Sequence, residues 1–409
     1  MRILHITTQK PNSTGSGIYM CGMINGFEKL GYEQSVIAGV DIDDDIKTIK
    51  DSLGNVKFYP VIYNTNELNF NVVGMSDSMP YKSTRYRDLD ENMVKKLKLS
   101  FLNQIEKAIK EYKIDTIICH HLYLLTAFVR EVIKDKNIKV LAVCHGTCLR
   151  QLKTIPLERE YIKENIKKLD KIFALHEEQR KDIISTFGIE SDKVYVIGSG
   201  YNDSIFKNIE YTKKENYISL IFAGKICKSK GLLSFINCLD RLNYKKDLLK
   251  IKLAGTGSDE KSYNEIVDRA KKSKYDILFL GKLDQKKLSE EFNKADIFVL
   301  PSFYEGLPVV ILEAMACGTD VITTDIPGVR EWIGEKINKS GKIEYVSLPN
   351  MQSVGIPKEE DLNDFEDRLS KTIEKMINKN LDKKNHKREI DMSEKTWDGL
   401  AKRMEDMIN

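Results

Sequence analysis

Glu305 and Glu313 stand with seven residues between them in the segment Ile297–Gly328, IFVLPSFYEGLPVVILEAMACGTDVITTDIPG. The short apolar run ending at Pro301 reads as a buried strand, and Val309–Ala316 reads as a helix closed by Gly318. The two carboxylates therefore flank a strand-to-helix turn, where they can accept hydrogen bonds from vicinal hydroxyls such as those of a ribose. On spacing alone, two solvated glutamates beside an ordinary turn are an equal alternative. Three other loops offer phosphate chemistry. Gly224-Lys-Ile-Cys-Lys-Ser-Lys-Gly231 places Lys225, Lys228 and Lys230 after a strand, where cations would stabilise a diphosphate as charge builds on it. Gly255-Thr-Gly257 and Gly15-Ser-Gly17 also follow strands, and glycine lets a backbone approach an anion closely.

Those turns need a scaffold that presents strand ends. Apolar strand-like runs alternate with helical patterns throughout, which predicts an α/β fold of two Rossmann-like, doubly wound parallel-sheet domains facing a crevice. At 409 residues the chain is long for one core. The strand-helix pattern restarts after Gly198, so the expected division is one domain over 1–200 and a second over 201–385. Residues 386–409 would form a terminal helix, with Trp397, Leu400 and Met404 on one face. The first strand is followed by a loop over Thr8–Gly17 and a helix carrying Met20, Met23, Ile24 and Phe27. Asn64–Asp90 is long, polar and poor in periodicity, and it reads equally as an acceptor-side flap or a disordered surface loop. Gly146–Ile155 reads as a second specificity loop. Three strands end in histidine, which singles out His121, His145 and His176, because ligands bind at strand carboxyl ends in such sheets.

Composition narrows the function class. Basic and acidic residues number 65 and 61, a net charge of +4 that gives no case for nucleic acid. No apolar run approaches the ~20 residues of a membrane span. Met1 leads straight into a strand without a signal-peptide layout. Seven scattered cysteines fit reduced thiols, so the expected location is cytoplasmic. Lysine-rich faces such as Lys95–Lys113 leave room for peripheral contact with the inner membrane face. Cys144 and Cys148 with His145 lack a second ligand pair at zinc spacing, and the carboxylates of Asp41–Asp45 lie in a polar surface run, so no metal is expected. Asp41 also follows the second strand, where a nicotinamide enzyme holds its ribose-binding acid. That dehydrogenase reading needs a third glycine at position 20, where Met20 stands.

Taken together, PSFYEGLPVVILEAMACG, GKICKSKG, LAGTG and STGSG resemble the large retaining glycosyltransferase family of GT-B fold known as family 4, whose E-x7-E spacing the glutamates share. The family often has arginine where Lys225 stands, and its common EGFG reads here as Glu305-Gly306-Leu307-Pro308. The resemblance implies a metal-independent enzyme without a cofactor, its acceptor held by the domain over 1–200, its sugar nucleotide by the domain over 201–385 and its terminal helix crossing back to the first domain. It would move a sugar from a nucleotide-sugar donor, a UDP-sugar by preference, to a glycan, protein, lipid or small-molecule acceptor with retention. By position, Glu313 would bind the ribose hydroxyls and Glu305 the donor sugar. Lys225 and Lys230 would neutralise the leaving diphosphate, and Gly15 and Gly17 would close over it. His145 would contact the sugar near the reacting carbon, while Gly224, Gly255, Gly257, Gly306, Leu307 and Pro308 would line the donor site. A non-catalytic sugar-nucleotide-binding protein is the remaining alternative.

Overall fold

Leu4 and Ile6 point to one face of the strand Arg2–Thr7 and Ile3 and His5 to the other, and all four are fully buried. A strand buried on both faces must lie inside a sheet covered by helices on each side. In the computed structural model, which describes residues 1–77, 79–209, 217–257, 259–382 and 390–408, this strand is the third of seven in such a sheet. It is β1, followed by β2 (Glu33–Asp41), β3 (Lys57–Tyr63), β4 (Thr116–His120), β5 (Lys139–Val143), β6 (Lys171–Ala174) and β7 (Val194–Val196). All neighbours pair in parallel in the order β3-β2-β1-β4-β5-β6-β7. The order reverses at β1, which makes the carboxyl ends of β1 and β4 the place where such a sheet opens to ligands.

The same arrangement recurs downstream. Here β8 (Ile218–Ala223), β9 (Leu249–Ala254), β10 (Ile277–Gly281), β11 (Ile297–Leu300), β12 (Asp320–Thr324) and β13 (Ile343–Val346) form a parallel sheet in the order β10-β9-β8-β11-β12-β13. Each sheet has its own core, and the chain divides into two compact units. One is Met1–Gly200 together with the segment from Ser393, and the other is Tyr201–Met392. Both are doubly wound α/β units, in agreement with the alternating sequence pattern.

Within the first unit, the helix Trp397–Ile408 lies on the helix Gly15–Lys29. Trp397 stands edge-on to Tyr19 at 5.3 Å, and a Cβ at Gly22 would fall 2.2 Å from the indole ring, so glycine makes the seat for Trp397. Lys29 pairs with Asp398 at 2.6 Å along the same contact.

Three stretches differ from the sequence reading. The loop expected over Thr8–Gly17 is shorter, because Thr14 caps a helix that already begins at Gly15 and its hydroxyl accepts from the Gly17 N–H at 3.2 Å. Asn64–Asp90 is not a plain surface loop. Leu68, Phe70, Val72, Val73, Met75 and Tyr86 are buried in the first unit's core, and Val73–Gly74 pairs with Thr84–Arg85. Its polarity hid apolar anchors spaced too irregularly for a period to show. Gly146–Ile155 is a helix, Thr147–Thr154, rather than a loop.

Candidate active site

The second unit's loops at its own switch point, after β8 and β11, hold most of the expected site residues. The β8 loop begins at Gly224 and ends at Gly231, which opens the helix Leu232–Leu239. Gly231 has φ +66°, and a Cβ there would sit 2.0 Å from the Pro301 carbonyl oxygen, so only glycine lets the two loops meet. They are also tied by the Phe303 N–H donating to the Ser229 carbonyl at 2.9 Å. The result is a direct contact. The Lys230 ammonium lies 2.6 Å from a Glu305 carboxylate oxygen, and the other Glu305 oxygen accepts from the Ser302 hydroxyl at 2.7 Å. Both side chains are mostly buried, at 19% and 15% exposure, so the pair is held in place rather than loosely screened.

Other members of the set are placed differently. Lys225 is exposed at the start of the loop, whereas Lys228 turns away to pair with Glu265 at 2.6 Å. Gly306 is exposed with open space where a Cβ would be, Leu307 is half-buried and Pro308 is buried, its carbonyl accepting from the Ile311 N–H. Gly255 and Gly257 were expected to admit a ligand. The structure gives their absence of side chains another use: a Cβ on Gly255, whose φ is +144°, would lie 1.7 Å from the Gly224 carbonyl oxygen, and Ile226 bridges to Gly257. The two glycine turns stack on each other, backbone against backbone.

Glu313 lies on the helix Val310–Ala316 and is half-buried, between the buried Leu312 and Ala314. Burial pushes its carboxyl up to about 7. The side chain has no hydrogen-bond or ion-pair partner among the described residues, an expensive state for a carboxylate that a hydroxyl-bearing ligand would relieve.

In the first unit, Gly15 and Gly17 occupy the first helical turn. His145 follows β5, with His120 Nδ1 and His145 Nε2 3.3 Å apart and their rings stacked at 5.5 Å; Tyr19 packs edge-on at 5.0 Å. Burial drives both imidazoles far below their ordinary range, and neighbouring histidines push the same way, so they are neutral near pH 7. His121 joins this group at 4.9 Å from His145, held by the Gln9 side-chain amide at 2.8 Å in a backbone with φ +84° that a non-glycine residue rarely adopts. His176 does not join it. Its Nδ1 accepts from the Gln179 N–H and caps the helix Glu177–Phe187, a structural task.

The sequence reading passed over His120. Its signal lay in strand parity, since His5 and His120 share the face opposite Ile117 and Cys119 and stack at 5.8 Å. Cys144 and Cys148 bring their sulfurs to 3.6 Å, and among the described residues no group of three or more His, Cys, Asp or Glu is arranged to hold a metal ion. In the acidic run, Asp41 accepts from Asn64, Asp44 pairs with Lys10 and Asp45 caps the helix Ile46–Ser52. Asp41 is thus engaged within the fold. No helix among the described residues is long and apolar enough to cross a membrane.

Comparison with known proteins is consistent with this layout. A model of the glycosyl transferases group 1 matches residues 203–386, and one of glycosyltransferase family 4 matches residues 80–204. The chain belongs to the group 1, family 4 glycosyltransferases. Over 170 residues, 39% of the chain and 43% of the relative, it is 29% identical to an uncharacterised glycosyltransferase of Methanocaldococcus jannaschii. An alpha-maltose-1-phosphate synthase of Mycolicibacterium smegmatis is 25% identical over 41% of the chain and 46% of the relative. The chain thus spans less than half the length of these relatives. Anabaena HepE, solved in complex with UDP, covers 100% of the chain and 99% of its own at 12% identity with a TM-score of 0.64, a likeness of fold. The fold is GT-B.

Proposed function

We propose that this chain is a retaining, metal-independent glycosyltransferase that moves a sugar from a nucleotide-sugar donor, UDP-linked by preference, to an acceptor hydroxyl. The observation that carries the reading is the Lys230–Glu305 pair set in the same unit as a half-buried Glu313 carboxyl with no partner among the described residues. Family membership supports the reaction class, and the UDP bound by HepE, a protein of the same fold, supports the choice of base.

Glu313 accepts hydrogen bonds from the ribose hydroxyls, which replaces the missing partner of its carboxylate. Glu305 accepts from a hydroxyl of the donor sugar. Lys230, released in part from Glu305, and the exposed Lys225 take up the diphosphate, and N–H groups at the start of the helix Leu232–Leu239 add to the positive field. Such a field stabilises the leaving diphosphate as the bond from the anomeric carbon to the phosphate oxygen breaks. That oxygen takes the proton of the acceptor hydroxyl, whose oxygen bonds to the same face of the sugar, so configuration is retained. His145, neutral because it is buried, contributes a hydrogen bond to the sugar and no charge. In the N-terminal unit Gly15 leaves open space at the start of the first helix while the backbone of Asn12 fills the space beside Gly17, and Gly306, Leu307 and Pro308 line the sugar's position.

The test begins with a thermal-stability screen against UDP-, GDP-, ADP- and dTDP-sugars, in which a ligand at ~100 times its dissociation constant adds about 2.7 kcal/mol. UDP-sugars should give the largest shift, with and without EDTA. Transfer to an acceptor panel should yield product of the donor's anomeric configuration. Glu313→Ala and Lys230→Ala should lose transfer while remaining folded. Full activity in both variants, or inversion in the product, would overturn the reading.

A further inference from the structure

The first unit contains buried polar atoms that its own fold leaves unpaired, on segments that adjoin the histidine group. Tyr123 is 2% exposed and Gln151 6%, yet the Tyr123 hydroxyl and Gln151 Oε1 have no hydrogen-bond partner among the described residues. The same holds for the buried Nε of Arg159 and the hydroxyl of Thr147. Native proteins leave few such groups without a partner, because each costs about 1–3 kcal/mol.

Three elements bring these atoms together. Tyr123 caps the helix Leu124–Ile133, and Arg159 opens the helix Arg159–Ile166. Those helices pack on each other, with the Phe128 and Tyr161 rings 5.9 Å apart and the Tyr161 hydroxyl donating to Glu131 at 2.8 Å. Arg159 reaches the third element, donating from Nη2 to the Lys153 carbonyl at 3.4 Å at the end of the helix Thr147–Thr154. Thr147 and Gln151 are one turn apart on that helix and share a face. Burial raises the Tyr123 phenol to about 12, and the nearby Arg159 charge acts in the opposite direction. Arg159 has no carboxylate partner among the described residues, so a half-buried cation lacks its counter-charge.

We propose that the acceptor of this chain bears an oxyanion, a phosphate monoester or a carboxylate, bound in the N-terminal unit by Arg159 and the Tyr123 and Thr147 hydroxyls. Gln151 Oε1 accepts a hydrogen bond from a hydroxyl of the same acceptor. Arg159 carries positive charge and both hydroxyls can donate, a set that suits an anion better than a neutral polyol. The proposal rests on the glycosyltransferase reading for the word acceptor and on the N-terminal unit alone for the site.

Inorganic phosphate is the probe, titrated at constant ionic strength into the full chain saturated with UDP, so that the lysines of the C-terminal unit are already engaged. Calorimetry should show one saturable site. Arg159→Ala should weaken it by about thirtyfold and Tyr123→Phe by about fivefold, in line with charged and neutral hydrogen bonds. Both variants should keep the affinity for UDP, which separates the effect from misfolding. A hexose phosphate or a hexuronate should displace phosphate where the neutral hexose does not, and the stronger of the two identifies the anion. No saturable phosphate binding, or equal binding by the wild type and both variants, would overturn the proposal and leave ordered water as the partner of these atoms. Failure of UDP to bind would count against the donor reading instead. Phosphate titrated into Lys230→Met would then decide the site by the same criteria.

Discussion

Replacing Glu313 by glutamine should make the free protein more stable and the enzyme worse. Burial raises this carboxyl from its ordinary 4.5 to about 7, and no partner among the described residues compensates. In the folded chain the proton is therefore held up to about pH 7, whereas the unfolded chain releases it near 4.5. Between those limits the folded state binds more protons, so stability falls as pH rises, at about 1.4 kcal/mol for each pH unit. The whole effect, about 3 kcal/mol, is lost above pH 7. Glutamine cannot ionise, so Glu313→Gln should match the wild type near pH 4.5 and exceed it by about 3 kcal/mol at pH 8. Urea unfolding can isolate the relevant unit. The chain has two tryptophans, and a Trp397→Phe background leaves Trp332, buried in the C-terminal unit, as the reporter. UDP binding should show the opposite ranking. Ribose hydroxyls favour the charged carboxylate, so wild-type affinity falls below pH 7, while Glu313→Gln binds weakly and adds no such dependence. The UDP phosphate also protonates near pH 6, which makes the difference between the two proteins the quantity to read. A stability difference equal at pH 5 and pH 8 would refute the reasoning.

Lys230→Met and Glu305→Gln, combined in a double-mutant cycle on stability, should show a coupling of about 1–2 kcal/mol, because the pair is mostly buried; no coupling would mean that the contact is loose in solution. Transfer should fall at least about a hundredfold in Lys230→Met, measured as UDP release, since one cation facing the leaving group is gone. Gly255→Ala should destabilise the C-terminal unit by about 3 kcal/mol or more in the same urea assay, as its Cβ would collide with the Gly224 carbonyl. Gly22→Ala should displace Trp397, seen as a red-shifted fluorescence and faster proteolysis of the C-terminal helix. The His145 ring should show no titration between pH 8 and pH 5.5 by NMR, because burial holds it neutral across that range.

Much of this follows from local pattern, and the remainder depends on which strand lies beside which. The run Leu249–Ala254 announced itself by apolar content and a glycine turn, and the strand has those bounds. The chemistry of Lys230 and Glu305 could be read one loop at a time. Their contact could not, because it exists only through the strand order that sets β8 next to β11. His120 was hidden by a similar cause: its role depends on which face of β4 it occupies, and the apolar neighbours alone do not say what covers that face. Glu313 shows a further limit. Helical spacing marks the position of a carboxylate, but a missing partner is a property of everything that surrounds it. Gly255 shows that a residue type can be read correctly for the wrong reason. Glycine there does permit a close backbone approach, yet the approaching group is the Gly224 carbonyl of the neighbouring loop. A glycine turn after a strand thus establishes that something comes near. Whether chain or ligand fills that space is decided by the sheet that sets the loops side by side, and here the chain fills it at Gly255 while the space at Gly306 stays open.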